Sequence, residues 1–172
     1  MTRTGANLLV VDDEPAIARS LSLLFTRRGH RVIVAPGGNA ALEVMSQTHV
    51  DCVVLDYRLP DIRGDALYAY MAARQPDLSG KAVFLTGDIV PDVRDALERT
   101  GCHVVAKPFE LADLVAIVDQ VLAAGERTGE FYDGKRAAAR FFFRYELPKV
   151  GPQLDLLASL DRTTLDIDEA WF

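Results

Sequence analysis

Four apolar runs in this chain stop on residues that handle charge. Residues 8–11 stop on Asp12-Asp13, residues 52–55 on Asp56, residues 82–85 on Thr86, and residues 104–106 on Lys107-Pro108. If the runs are parallel strands of one open sheet, their carboxyl ends meet at one edge, where such sheets bind ligands. Three carboxylates gathered there repel one another unless a cation joins them. Mg2+ suits the position, as a hard ion that takes oxygen ligands in an octahedron and keeps several waters. A lysine and a hydroxyl beside such an ion suit a phosphoryl group. On this reading Asp56 is a carboxylate nucleophile that accepts phosphate.

The residues between the runs can hold this edge together. Pro15 fits a first helical turn, where a missing N–H costs nothing. Ile17, Leu21, Leu24 and Phe25 then recur at helical spacing until Gly29 ends the run. A second strand is expected over 31–35, and a second helix over 39–47. The third strand is expected over 51–56, a third helix over 66–74, and the fourth strand over 81–85. A fourth helix opens at Pro91 and stops at Gly101. The fifth strand spans 103–106 and the fifth helix 110–123. Alternation of this kind, with continuously apolar central strands, predicts a parallel α/β sheet covered on both faces.

Composition narrows the function class. Of 172 residues, 49% are hydrophobic and 26% charged, a globular balance, and the net charge is -6. A nucleic-acid binder normally shows a basic surface, so no nucleic-acid partner is expected. Cys52 and Cys102 fall in or beside apolar strands with no zinc or C-x-x-C spacing, and read as free thiols. His30, His49 and His103 have no metal spacing and read as surface or strand-end residues. The first five residues lead into a strand without an apolar leader core, and no run approaches a membrane span. The cytoplasm is the expected compartment.

The local strings Leu9-Val10-Val11-Asp12-Asp13-Glu14-Pro15, Asp56-Tyr57-Arg58-Leu59-Pro60 and Lys107-Pro108-Phe109, with Thr86 between them, resemble the receiver domain of bacterial two-component response regulators. The resemblance covers about residues 7–123. It implies a flavodoxin-like sheet of order 2-1-3-4-5 with five helices. It implies that Asp13, Asp56 and the backbone carbonyl of Arg58 bind Mg2+, with Asp12 holding a metal-bound water. It makes Asp56 the phosphoacceptor, Thr86 and Lys107 its phosphoryl-binding partners, and the peptide before Pro108 cis. A histidine kinase or phosphotransfer protein would be the donor, and a downstream protein the target. Receivers carry Tyr or Phe three residues before the lysine; here that position is Val104, which leaves the aromatic coupling route without its ring.

A second carboxylate chemistry competes. Haloacid dehalogenase-type phosphohydrolases also use a strand-end Asp with Mg2+, a Ser or Thr, and a Lys. They place the general acid two residues after the nucleophile, which after Asp12 is Glu14. That scheme leaves Asp56 without a part.

Beyond the receiver-like portion, 1–124, residues 125–172 read as a linker, 125–129, and a helical extension. On a helical wheel over 131–147, Asp133, Arg136, Arg140 and Arg144 share a narrow polar arc. Phe131, Phe141, Phe142, Phe143 and Tyr145 lie outside it, so this helix wants partners on more than one side. A homodimer through it is one expectation. Residues 129–172 also resemble the extreme C-terminal segment of acyl-CoA dehydrogenases, which implies a packing role and no dehydrogenase activity. Seven Lys/Arg stand against nine Asp/Glu over 125–172, which disfavours DNA as the output partner.

Overall fold

The computed structural model describes residues 5–87 and 90–127, with backbone alone for 125–127. Five parallel strands form one sheet in the order β2-β1-β3-β4-β5. They are β1 (Asn7–Val11), β2 (Arg31–Ala35), β3 (Cys52–Asp56), β4 (Ala82–Thr86) and β5 (His103–Ala106). Between and after them run α1 (Pro15–Arg27), α2 (Gly38–Gln47), α3 (Gly64–Arg74), α4 (Pro91–Glu98) and α5 (Leu111–Arg127), with a 3-10 turn at Pro76–Leu78. The α/β class, the strand order and the five helices are those the sequence implies.

Strand periodicity divides the core in two. Leu9, Val11, Val53, Leu55, Ala82 and Phe84 face one side, where they meet Leu67 and Met71 of α3 and Leu97 of α4. Leu8, Val10, Val54, Val83 and Leu85 face the other, packing on Leu21 and Phe25 of α1 and Leu114 and Val118 of α5. Residues two apart share a face, so an unbroken apolar run fills both cores at once. Phe84 is fully buried and meets Tyr68 edge-on, with ring centroids 5.7 Å apart. Burying side chains of this size stabilises by roughly 1.5–3 kcal/mol each. The edge strands β2 and β5 are the more exposed, and Val104 on β5 stands 40% open.

Several boundaries differ from expectation. α2 and α3 each begin on a glycine, earlier than predicted. Glycine is a poor helix former, so propensity points away from both starts. At the other end α5 runs on to Arg127, through the expected start of the linker. A lone Gly125 costs a helix only about 1 kcal/mol, and Glu126 and Arg127 are good helix formers. His30 precedes β2, as a strand-end residue should, and is buried there, with its ring edge-on to Phe25 at 6.3 Å. The expected 131–147 helix, and any dimer made through it, lie outside the described residues.

The β3–α3 connection carries the strictest backbone demand. Gly64 N–H donates to the Tyr57 carbonyl at 2.8 Å, and Arg58 and Arg63 form an antiparallel bridge, closing residues 57–64 into a loop. A β-carbon at position 64 would lie 2.7 Å from the Asp56 carbonyl oxygen and 2.9 Å from Tyr57 Cα. Both are backbone atoms at the end of a central strand and have nowhere to retreat. Gly64→Ala should therefore destabilise the fold by about 1–3 kcal/mol, the usual cost of overpacking. Urea unfolding checks this, and an unchanged midpoint would show that the loop neck yields.

Candidate functional site

Register decides which strand ends meet. Val11 pairs with Leu55 across β1 and β3, so Asp12 and Asp56 follow side by side. Leu85 stands opposite Asp56, and Thr86 opposite Ala106. The Lys107 N–H donates to the Thr86 carbonyl at 2.7 Å, and the Lys107–Pro108 peptide is cis. Asp12, Asp13, Asp56, Thr86 and Lys107 thus collect at one edge of the sheet, as the sequence predicts.

One carboxylate oxygen from each of Asp12, Asp13 and Asp56 lies within 4.8 Å of the others. Asp12 and Asp56 are buried, whereas Asp13 faces solvent. The Lys107 ammonium bridges the group. It donates to Asp12 Oδ2 at 3.1 Å and Glu14 Oε1 at 3.4 Å, and stands 3.5 Å from Asp56 Oδ2. Asp12 is oriented further by the Glu14 N–H, which donates to its Oδ1 at 2.8 Å. Thr86 is buried at the end of β4.

Charge is unbalanced here. Burial pushes the Asp56 carboxyl above its ordinary pKa; Lys107 opposes this and the neighbouring Asp12 reinforces it. At Lys107, burial alone would lower the pKa, but the hydrogen bond and charge of Asp12, with Asp56 and Glu14, raise it above the usual lysine value. One ammonium against this many carboxylates leaves a net negative pocket made of hard oxygen donors. That donor set fits Mg2+, which prefers carboxylate and carbonyl oxygen. Asp13 keeps a path open to solvent, by which an ion can arrive.

A residue the sequence reading passed over supports the site from outside. Asp61, on the loop after Asp56, accepts hydrogen bonds from the Gly38 and Asn39 N–H groups of α2, both at 2.9 Å. Arg63 on the same connection and the fully buried Asp65 in the first turn of α3 form a bidentate pair at 2.7 and 2.8 Å. An acid five residues beyond a strand-end Asp is a weak signal, because nothing local says which amides it will meet.

The sequence profile of the response regulator receiver domain matches residues 8–119. This chain belongs to that family. Its receiver is 30% identical over 122 residues to the transcriptional regulatory protein GlrR of Escherichia coli K12, covering 71% of this chain and 27% of GlrR. It is 33% identical over 118 residues to protein Rrf1 of Nitratidesulfovibrio vulgaris, covering 69% of this chain and 83% of Rrf1. The chain therefore spans about a quarter of GlrR but most of Rrf1. Its fold matches a CheY-like receiver domain protein from Methanospirillum hungatei JF-1 with a TM-score of 0.68 at 22% identity, over 73% of this chain and 100% of that one. The family match takes the receiver side over the phosphohydrolase alternative, and Glu14, which that scheme needs as a free acid, is engaged by Lys107. A second profile, acetyl-CoA dehydrogenase C-terminal like, matches residues 95–168. It overlaps the first over 95–119, residues that here build α4, β5 and α5 of the receiver.

Burial of Asp56 has a consequence for stability in metal-free buffer. Its folded pKa lies above the unfolded value, so the native state holds the proton more tightly. Stability then falls as pH rises from the ordinary carboxylate range through the raised pKa. Asp56→Asn cannot ionise and should melt a few degrees higher than the wild type at pH 7 in EDTA. The gap should close toward roughly pH 3, where the wild-type carboxyl is protonated in both states. A variant that melts lower at pH 7 would show that pairing with Lys107 outweighs burial.

Proposed function

We propose that this receiver takes a phosphoryl group onto Asp56 from the phosphohistidine of a histidine kinase or phosphotransfer protein, and signals by protein contact. The observation that carries the reading is Lys107 Nζ set among Asp12, Glu14 and Asp56, beside a solvent-open Asp13. An Asp56 Oδ attacks phosphorus as the P–N bond of the donor breaks. The donor imidazole leaves with the electron pair and takes up a proton. Lys107 follows the developing charge onto the phosphoryl oxygens, where a charge-assisted hydrogen bond is strongest. Thr86, at the end of the adjacent strand, offers its hydroxyl to the same oxygens. Asp13, Asp56 and the Arg58 carbonyl would hold Mg2+, with Asp12 on a bound water. When present, the ion supplies charge neutralisation at those oxygens.

This chemistry modifies the chain itself and turns over no separate substrate beyond loss of its own phosphoryl group. An open groove of about 550 Å3 runs from Asp12 and Asp13 along α1 to the edge of β2, with Leu23 and Val34 in its wall. It gives a protein donor apolar surface next to the acceptor. No described helix is long and apolar enough to cross a membrane, and action in the cytoplasm is part of the proposal. The acidic balance of residues 125–172 favours a protein over DNA as the target.

With acetyl phosphate and Mg2+, the wild type should gain one acid-labile phosphoryl group and Asp56→Asn none. Lys107→Ala should keep the fold and label roughly 100-fold more slowly or worse, the usual cost of losing a donor to developing oxyanion charge. Mass spectrometry of intact protein reads both. Wild-type labelling of the Asn variant would move the acceptor elsewhere. Unchanged labelling of Lys107→Ala, with an unchanged response to beryllofluoride, would remove Lys107 from the mechanism.

A further inference from the structure

The N-terminus of α2 lacks a cap of its own: Gly37 precedes the helix and no side chain of that turn reaches its amides. The cap comes instead from Asp61, 23 residues on in the chain from Gly38, with each carboxylate oxygen taking one amide proton at 2.9 Å. The contact is built closely from both sides. A β-carbon on Gly37 would sit 3.1 Å from Asp61 Oδ1, and one on Gly38 would overlap Ile62 Cγ2. Burial opposes the ionised form of Asp61, yet the amides of Asn39 and Gly38, with those of Asp61 and Ile62, hold its carboxyl below the usual range. The helix dipole favours an anion at this end as well.

What Asp61 ties down is the loop that starts at Asp56. The neck of that loop is closed by Gly64 N–H on the Tyr57 carbonyl and by the Arg58–Arg63 bridge. Those bonds fix the two strands of the neck to each other and leave the loop tip to be fixed from outside. Asp61 and Ile62, both in the tip, are seated against α2. We infer that Asp61 is a positioning residue for the metal half of the site: by capping α2 across the fold, it holds the loop so that the Arg58 carbonyl stays in register with Asp13 and Asp56. The inference rests on the Mg2+ and Asp56 reading above.

The test uses the full chain and Mg2+ alone, titrated calorimetrically, with Asp61→Ala and Asp61→Asn. Asn keeps one acceptor oxygen but turns its NH2 toward the second amide, so it should fall between wild type and Ala. The Mg2+ dissociation constant should rise ~10-fold in Ala, as for other residues that orient metal ligands. In EDTA, the Gly38 and Asn39 amides should exchange faster in the same order. Acetyl phosphate labelling should slow at limiting Mg2+ and return to the wild-type rate at saturating Mg2+. A purely structural cap predicts lower melting and faster amide exchange with an unchanged Mg2+ constant; that result would overturn the inference. If Asp61→Ala does not fold, Asp61→Asn decides by the same comparison. Failure of the Asp56 reading has a different mark: Asp56→Asn would label normally while the Asp61 variants still bound Mg2+ weakly. A wild type that binds no Mg2+ at millimolar concentration would overturn both.

Discussion

Asp12 and Asp56 stand side by side at the ends of adjacent buried strands, and their mutual repulsion is the constraint that the surrounding structure answers. At the separations present here, two such charges cost on the order of 3 kcal/mol at an effective dielectric of about 20. Burial adds to that cost by stripping water from both. Lys107 offsets part of it, and does so from a strand two places away from β3, across β4. The remainder is left as an appetite for positive charge. A site balanced in this way has a use for Mg2+ and for a group that brings its own oxygens, and little reason to exist without them.

The sheet supplies the rigidity that such a site needs. β1, β3 and β4 are buried on both faces, and their side chains fill two separate cores. A shift of β3 by one residue would exchange those cores and take Asp56 out of line with Asp12. Register is thus held by apolar packing far larger than the repulsion it imposes at the edge. The loop beyond β3 is packed less fully, with Tyr57 and Ile62 buried and Leu59 half-buried against one of the two cores. It is also held by a glycine that admits a close backbone approach, a bidentate Arg63–Asp65 pair and the Asp61 carboxylate, which accepts from amides of the neighbouring helix α2.

Two surface features lie outside this rigid centre. Val104, on the exposed edge strand β5, stands where receivers carry a ring, and with 40% of its surface open it fills no cleft there. Phosphoryl chemistry at Asp56 does not require that ring, whereas a relay through β5 would have to run on a smaller side chain. The groove along α1 opens on the opposite edge of the sheet, next to Asp13. The exposed Val104 and this groove thus lie at different edges of one sheet.

Sequence by itself determined the residue types at the strand ends and the alternation that gathers them. A parallel strand buried on both faces is an unbroken apolar run, and the polar residue that stops it is visible without any partner. Helix ends were less legible, because α2 and α3 begin on glycines that propensity disfavours and tertiary contacts impose. The burial of His30 was not legible for a related reason: a single polar residue before a strand carries no local mark of the ring it will pack against. Only the tertiary structure decided that Lys107 would reach three carboxylates and that Asp61 would cap a helix earlier in the chain. Strand periodicity is written in neighbours two residues apart, but these contacts join residues from 22 to 95 positions apart, and only the packed fold sets which of them meet.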